Sequence, residues 1–188
     1  MSINLPRVTE ILKYYTNYDK VPSDILEKAS ARGTTIHAIC AGLAKGAWIP
    51  DGMIQEDYLP YVNSFRAWSE AQVENFEVVE KRYQHASYGY TGQVDFVIRA
   101  TDDKLYLVDL KTSAKPQKTY PIQMAAYNLL LKASGLYVEG ALIVYLPKTG
   151  DFPNIHFMEN FDKETEVFIS ALTCYKYFNT RKKNDKST

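Results

Sequence analysis

Cysteine is scarce in this chain of 188 residues: there are two, Cys40 and Cys174, far apart and without a CxxC or Cys/His neighbour. That spacing excludes a disulfide framework and a zinc site built on cysteine. Both fall at apolar helical positions, which predicts two buried free thiols. Long hydrophobic runs are also missing, so no segment reads as a membrane span. The first twenty residues are polar and charged, which predicts no secretory leader and a cytoplasmic protein. Charge of one sign is absent too, with 22 basic and 22 acidic residues and a formal net charge of +0. No global field then steers a polyanion, and such a partner must be held by a local basic patch or through a metal ion. Repeats, low-complexity tracts and linkers are missing as well, so residues 1–188 read as one domain.

What is present is a soluble-type composition, 46% hydrophobic and 23% charged, in a chain long enough to bury a core without staples. The fifteen tyrosines suit core, interface or stacking positions. Residues 1–75 read as helical. Ile36, Ile39, Cys40 and Leu43 recur at helical spacing after Arg32-Gly33-Thr34-Thr35, with Thr34 as a plausible N-cap. Tyr58, Tyr61, Val62, Phe65 and Trp68 mark a second helix, with Pro60 tolerable only in its first turn. From Phe76 the period changes to two, predicting strands over 76–87, 90–100 and 104–111. A helix over 119–134, strands over 138–146 and 154–159, and a C-terminal helix carrying Phe161, Val167, Phe168 and Leu172 complete the pattern. Residues 76–147 would form the core, 148–180 a closing strand and helix, and 181–188 a frayed basic tail. The fold class is α/β or α+β, a mixed sheet flanked by helices.

Within this pattern, Asp95 and Asp109 lie inside apolar strands, where a carboxylate is costly unless something pairs with it. If the hairpin centres on Asp102, partners on its two strands have numbers summing to 204. Val94, Phe96 and Ile98 then face Leu110, Val108 and Tyr106 on one apolar side, and Asp95 lies opposite Asp109 on the other. Side-by-side carboxylates repel unless one takes a proton or a cation lies between them. Lys111 shares that face and offers part of the compensation; a bare salt bridge is the bland alternative. A hard divalent ion fits better, since Mg²⁺ takes one or two carboxylates and fills its shell with water and phosphate oxygens. The D-x-K spacing alone is uninformative, because Asp102-Asp103-Lys104 repeats it in a polar turn.

Gly92-Gln93-Val94-Asp95, Asp109-Leu110-Lys111-Thr112-Ser113 and Gln123-x-x-x-Tyr127 together resemble the motifs of the PD-(D/E)XK nucleases. The resemblance is strongest to their RecB-like, phage-type exonuclease branch. Arg32-Gly33-Thr34-Thr35-Ile36-His37 resembles that branch's upstream element, and Val79-Glu80 its acidic first-strand position. The resemblance covers residues 32–127 and implies a restriction-endonuclease-like fold with core order αβββαβ. It implies metal ligands at Asp95, Asp109 and the Leu110 carbonyl, for one or two Mg²⁺ or Mn²⁺ ions. Lys111 would orient the attacking water and stabilise phosphate charge. His37 alone would be an ordinary core histidine; the resemblance makes it a further ligand. Glu80 joins the site only if the turn at Tyr88-Gly89 has two residues, and is otherwise a surface ion-pair partner. Gln123 and Tyr127 share a helix face that the resemblance sets against the site; otherwise they are a surface glutamine and a half-buried tyrosine. Arg32, Thr112, Ser113, Lys115 and Lys118 are candidate nucleic-acid contacts, the two lysines equally readable as solvated loop charges.

Two distant cysteines cannot hold an iron–sulfur cluster, which excludes the cluster-bearing RecB-like subgroup unless another chain supplies ligands. No Walker motif accompanies the site. The expectation is a Mg²⁺-dependent deoxyribonuclease acting on DNA in recombination or repair, an exonuclease by resemblance, with no membrane association. A homo-oligomer or a recombination partner protein is compatible with the sequence and is not established by it. The alternatives are an endonuclease of the same fold and a non-catalytic nucleic-acid-binding module. Asp109→Asn is expected to abolish cleavage while relieving repulsion with Asp95 in metal-free buffer.

Overall fold

A computed structural model describes residues 5–16, 21–113 and 115–184, with side chains through Asn179. The elements in chain order are α1 (Val8–Leu12), α2 (Ser23–Ala44), α3 (Leu59–Gln72), β1 (Val73–His85), β2 (Tyr90–Ala100), β3 (Leu105–Lys111), α4 (Thr119–Ala133), β4 (Gly140–Tyr145), β5 (Asn154–Met158) and α5 (Asp162–Asn184). The five strands form one mixed sheet in the order β1-β2-β3-β4-β5. β1, β2 and β3 are an antiparallel meander, α4 carries the chain across to β4 parallel to β3, and β5 returns antiparallel. This is the expected mixed sheet flanked by helices.

Each face of the sheet has its own core. On one, α1, α4 and α5 bring Ile11, Met124, Leu130, Phe168 and Leu172 against Val97, Leu107 and Ile143. On the other, α2 and α3 bring Ile36, Cys40, Phe65 and Trp68 against Phe96, Ile98, Val108, Leu110 and Val144. At roughly 25 cal/mol per Å² of apolar surface removed from water, this two-sided burial is the main force holding the layers together. The β2–β3 ladder pairs Phe96 with Val108, Val97 with Leu107, Ile98 with Tyr106 and Arg99 with Leu105, all summing to 204. Asp102-Asp103-Lys104 is the turn, with Asp103 at φ 63° and the Lys104 N–H donating to Asp102 Oδ1 at 3.1 Å.

Several details differ from the expectation. Arg32-Gly33-Thr34-Thr35 does not start a helix: α2 begins at Ser23, Thr34 lies mid-helix, and the Thr35 hydroxyl donates back to the Ala31 carbonyl at 3.0 Å. Tertiary packing of the helix overrides the local breaking tendency of Gly33. Val94 joins Val97 and Leu107 in the α4-side core, and not Phe96 and Ile98. Pairing of β1 with β2 skips one position between Val79↔Phe96 and Lys81↔Val94, and there Glu80 has φ 50°. A left-handed glutamate is an unusual, strained backbone state, and across this kink β2 changes which face its side chains occupy. Cys174 is exposed although Cys40 is buried, because it borders a groove beside Tyr14 and Phe178. Val167 on α5 is likewise exposed, so the buried stripe is Phe161, Phe168, Ala171 and Leu172. α5 runs on to Asn184, through the start of the anticipated tail; Asp185–Thr188 lie outside the described residues.

Candidate active site

The β2–β3 ladder ends at Phe96↔Val108, while β3 continues to pair with β4 through Lys111↔Tyr145. Asp95 and Asp109 thus stand at the mouth of a fork and not as a backbone-paired couple. Two adjacent carboxylates repel, and the fork supplies each with other partners. Asp95 Oδ2 accepts the Leu110 N–H at 3.0 Å, so a side chain takes up a strand donor that would otherwise be unpaired. The same oxygen lies 3.3 Å from His37 Nδ1, reaching in from α2. Asp109 Oδ1 accepts the Gln123 side-chain N–H at 2.9 Å, and Asp109 Oδ2 lies 2.6 Å from Lys111 Nζ. That second contact is a buried ion pair, and the ammonium offsets much of the cost of burying the Asp109 charge.

Gln123, on α4, is the hub of the other half. Its side-chain N–H groups serve Asp109 and, at 3.0 Å, the Tyr127 oxygen. Its carbonyl accepts from Lys111 Nζ at 3.4 Å. Because Tyr127 accepts from Gln123, its own O–H proton is available to donate into the cleft. Lys111 Nζ also lies 4.5 Å from the centre of the Tyr120 ring, a cation–π contact that holds the ammonium over an aromatic face. Tyr120 in turn shares a 3.0 Å hydrogen bond with the Ser113 hydroxyl.

Burial and neighbouring charge shift these groups in different directions. Burial opposes charge on His37, yet Asp95 overcomes it and raises the imidazole pKa to about 9. Burial also works against ionised Asp95, but His37 and Lys111 hold its carboxyl below the ordinary range. For Asp109 burial dominates the attraction of Lys111 and, helped by Asp95, lifts the pKa to about 6. Lys111 is buried too, and the Asp109 and Asp95 charges still keep its pKa above the usual value. Partial burial raises Glu80, offset in part by a hydrogen bond from the Gln93 side chain. Burial pushes the Tyr127 phenol strongly upward, so it stays protonated. Groups perturbed by burial plus a specific charged partner, and gathered in a cleft, mark functional sites.

His37, Glu80 and Asp95 each offer a ligand atom within 4.8 Å of the others. One nitrogen and two carboxylate oxygens suit a divalent ion, and the Asp95 carboxylate, 3.3 Å from His37 Nδ1, favours positive charge at this spot. Asp109 opens on the same cleft but lies outside that three-residue group, its oxygens occupied by Gln123 and Lys111. The cleft, about 720 Å³, is also lined by Arg7, Ser30, Thr34, Arg82 and Gly92. Gly92 is a matter of space: a Cβ there would meet Tyr127 Cε1 at 2.7 Å and Leu130 Cδ1 at 2.9 Å. Gly92→Ala should push α4, and Gln123 with it, away from β2. The expected cost is roughly 1–3 kcal/mol together with a fall in kcat, read by urea unfolding and steady-state kinetics.

The structure therefore brings together His37, Glu80, Asp95, Asp109, Lys111, Gln123 and Tyr127. The basic contacts fare differently. Lys115 and Lys118 are exposed in the β3–α4 loop and do not line the cleft. Arg32 lies over the Tyr61 ring, 5.6 Å from its centre, also off the lining. Thr112 faces α2 near Gly33, and Ser113 is tied to Tyr120. Arg7 and Arg82, which do line the cleft, were not anticipated. Arg82 was findable, being two positions beyond Glu80 and hence on its strand face; Arg7 precedes α1, whose Val8, Ile11 and Leu12 spacing marks a helix but not its place beside the cleft.

A family model described as the PD-(D/E)XK nuclease superfamily matches residues 13–180. Among solved structures, a candidate exonuclease from Eubacterium rectale superimposes with a TM-score of 0.60 at 13% identity, over 96% of this chain and 82% of that one. An alkaline exonuclease from Laribacter hongkongensis, LHK-Exo, shows a TM-score of 0.41 at 13% identity, over 95% of this chain and 93% of its own. The first likeness bears on fold alone, and the second is too loose in shape to bear on anything here. No curated protein matches the sequence significantly.

Proposed function

The chain belongs to the PD-(D/E)XK nuclease superfamily, and from that membership we propose that its cleft hydrolyses DNA phosphodiester bonds with Mg²⁺ or Mn²⁺, working from strand ends. The observation that carries this reading is one cleft holding both the His37–Glu80–Asp95 donor group and the Asp109–Lys111 ion pair. In this reading His37, Glu80 and Asp95 hold the ion, joined by Asp109 and the Leu110 carbonyl. A divalent ion there would neutralise phosphate charge and lower the pKa of the attacking water. Lys111, kept charged by Asp109, donates to a phosphate oxygen and stabilises the charge that builds in the transition state. Gln123 fixes Asp109 and Lys111 at once, so the pair is pre-set before substrate arrives. Tyr127 donates its free O–H toward the same phosphate. Arg7 and Arg82 at the rim hold flanking phosphates, and Arg32, Thr112, Ser113, Lys115 and Lys118 are at most outlying contacts.

The test uses purified protein on linear and covalently closed circular DNA, single- and double-stranded, with Mg²⁺, Mn²⁺ or EDTA. Metal-dependent loss of linear DNA with intact circles is expected. Cleavage of closed circles would make it an endonuclease. No hydrolysis of any substrate with either metal would leave a binding module.

A further inference from the structure

Two tryptophans divide this chain: Trp68 is fully buried and Trp48 is 86% exposed. An indole left in water forgoes the stabilisation that burial gives; single exposed apolar residues are common, and what sets Trp48 apart is how firmly its backbone is held. After α2 the Gly46 N–H donates to Leu43 and the Ala47 N–H to Gly42, with Gly46 at φ 80° closing the helix. Ile49 Cδ1 packs over Gly42, where an added Cβ would meet it at 3.1 Å. Arg66 then grips the loop from α3, donating to the Ile49 carbonyl at 2.9 Å and to Asp51 Oδ1 at 2.6 Å. Both neighbours of Trp48 are pinned, and the indole is held out from a rigid frame.

Trp48 follows α2, the helix that carries His37, and Lys45 at its end is about 12 Å further along the axis by the rise of 1.5 Å per residue. Lys45 is exposed, and its charge is felt by Glu80. A cation and a bare aromatic ring three residues apart are the two elements of a single-strand track, one for the phosphate and one for the base. The cleft's 720 Å³ is the size of a small-ligand pocket and matches a nucleotide or two of a strand end. Met53 is also exposed, at 79%, but Glu56 and Asp57 beside it repel phosphate, whereas Asp51 is neutralised by Arg66. Of the two exposed side chains, Trp48 is therefore the one whose surroundings suit a phosphate chain.

Resting on the nuclease reading above, we propose that Trp48 is a stacking platform for an unpaired base of single-stranded DNA, a few nucleotides from the bond to be cut. The buried Trp68 makes the test direct, because quenching of the exposed indole reports on Trp48. An oligothymidylate of about a dozen residues, added in EDTA, should quench the wild-type fluorescence. Trp48→Ala should lower the affinity about tenfold to a hundredfold, and Trp48→Phe should restore most of it. Metal-dependent hydrolysis of bis(p-nitrophenyl) phosphate should be equal in all three proteins, because that small diester needs only the cleft. Equal oligonucleotide affinity of wild type and Trp48→Ala overturns the platform. So does equal dependence on Trp48 for a blunt duplex. Dissociation of a wild-type dimer by Trp48→Ala in sedimentation would instead make this the contact with a second copy. If no protein hydrolyses the small diester, the nuclease reading fails separately, and the oligonucleotide arm still decides the platform.

Discussion

Lys111→Ala should lower DNA cleavage by roughly two to three orders of magnitude, the usual effect of removing one donor aimed at transition-state charge. It should also destabilise the protein, because Asp109 is only 2% exposed and loses the ammonium 2.6 Å from Oδ2. Breaking a buried pair from one side typically costs about 3–5 kcal/mol. The sign of the pH dependence follows from Asp109, whose pKa is already raised to about 6 and should rise further without Lys111. A raised folded-state pKa gives stability that is complete below the unfolded value and lost as pH rises through the folded one. Lys111→Ala should therefore lie closest to wild type in acid and fall furthest behind above pH 6. Urea unfolding in EDTA at pH 4.5 and pH 8 checks this. A constant gap between the two proteins would show that the pair is not what holds this corner together.

The same ion pair alters the expectation for Asp109→Asn. With the aspartates taken as nearest neighbours, that change relieves repulsion. In the structure the contact partner of Asp109 is Lys111, so Asp109→Asn strands a buried cation and should destabilise. A Lys111→Met, Asp109→Asn double variant removes both charges and should recover much of the stability while remaining inactive.

Patterns that depend on periodicity were legible in the sequence. The alternation of β2 and β3 about Asp102 gave the register, and with it the apolar face of Phe96, Ile98, Val108 and Leu110. The four-residue spacing of Gln123 and Tyr127 placed both on one face of α4, and the family resemblance set that face against the site, where Gln123 meets Asp109. What was hidden depends on single backbone angles and on contacts between distant segments. Nothing about Glu80 as a residue type signals φ 50°, and nothing in the alternation signals that Val94, beside that kink, joins the α4-side core. Gly33 and Thr34 carry local signals of a helix boundary, which the packing of α2 overrides. Asp95 was recognisable as a costly buried acid, but its bond to the Leu110 N–H, which closes the fork, follows only from where the ladder stops.

Asp95→Asn is the second change with a large expected effect, because one oxygen of Asp95 serves both Leu110 and His37. Asparagine can still accept the Leu110 N–H, so the fork should persist, but the charge that raises His37 to about 9 is gone. Burial then dominates, and His37 should titrate below its ordinary value. In the wild type the His37 contribution is complete below about 6.5 and is lost as pH rises through about 9. The stability deficit of Asp95→Asn in EDTA should accordingly be largest at pH 6 and shrink towards pH 9.5. Metal binding has the opposite slope. An ion taking the His37 nitrogen must expel its proton below pH 9, so wild-type affinity should climb from pH 6 to pH 9. Calorimetric Mn²⁺ titrations in two buffers of different ionisation heat should differ by about one proton per ion. Asp95→Asn should lower the affinity at least about tenfold and abolish the buffer dependence near pH 8, since its His37 is already neutral there. Proton release that is unchanged in the variant would exclude His37 as a ligand and leave it as the counter-charge of Asp95 alone.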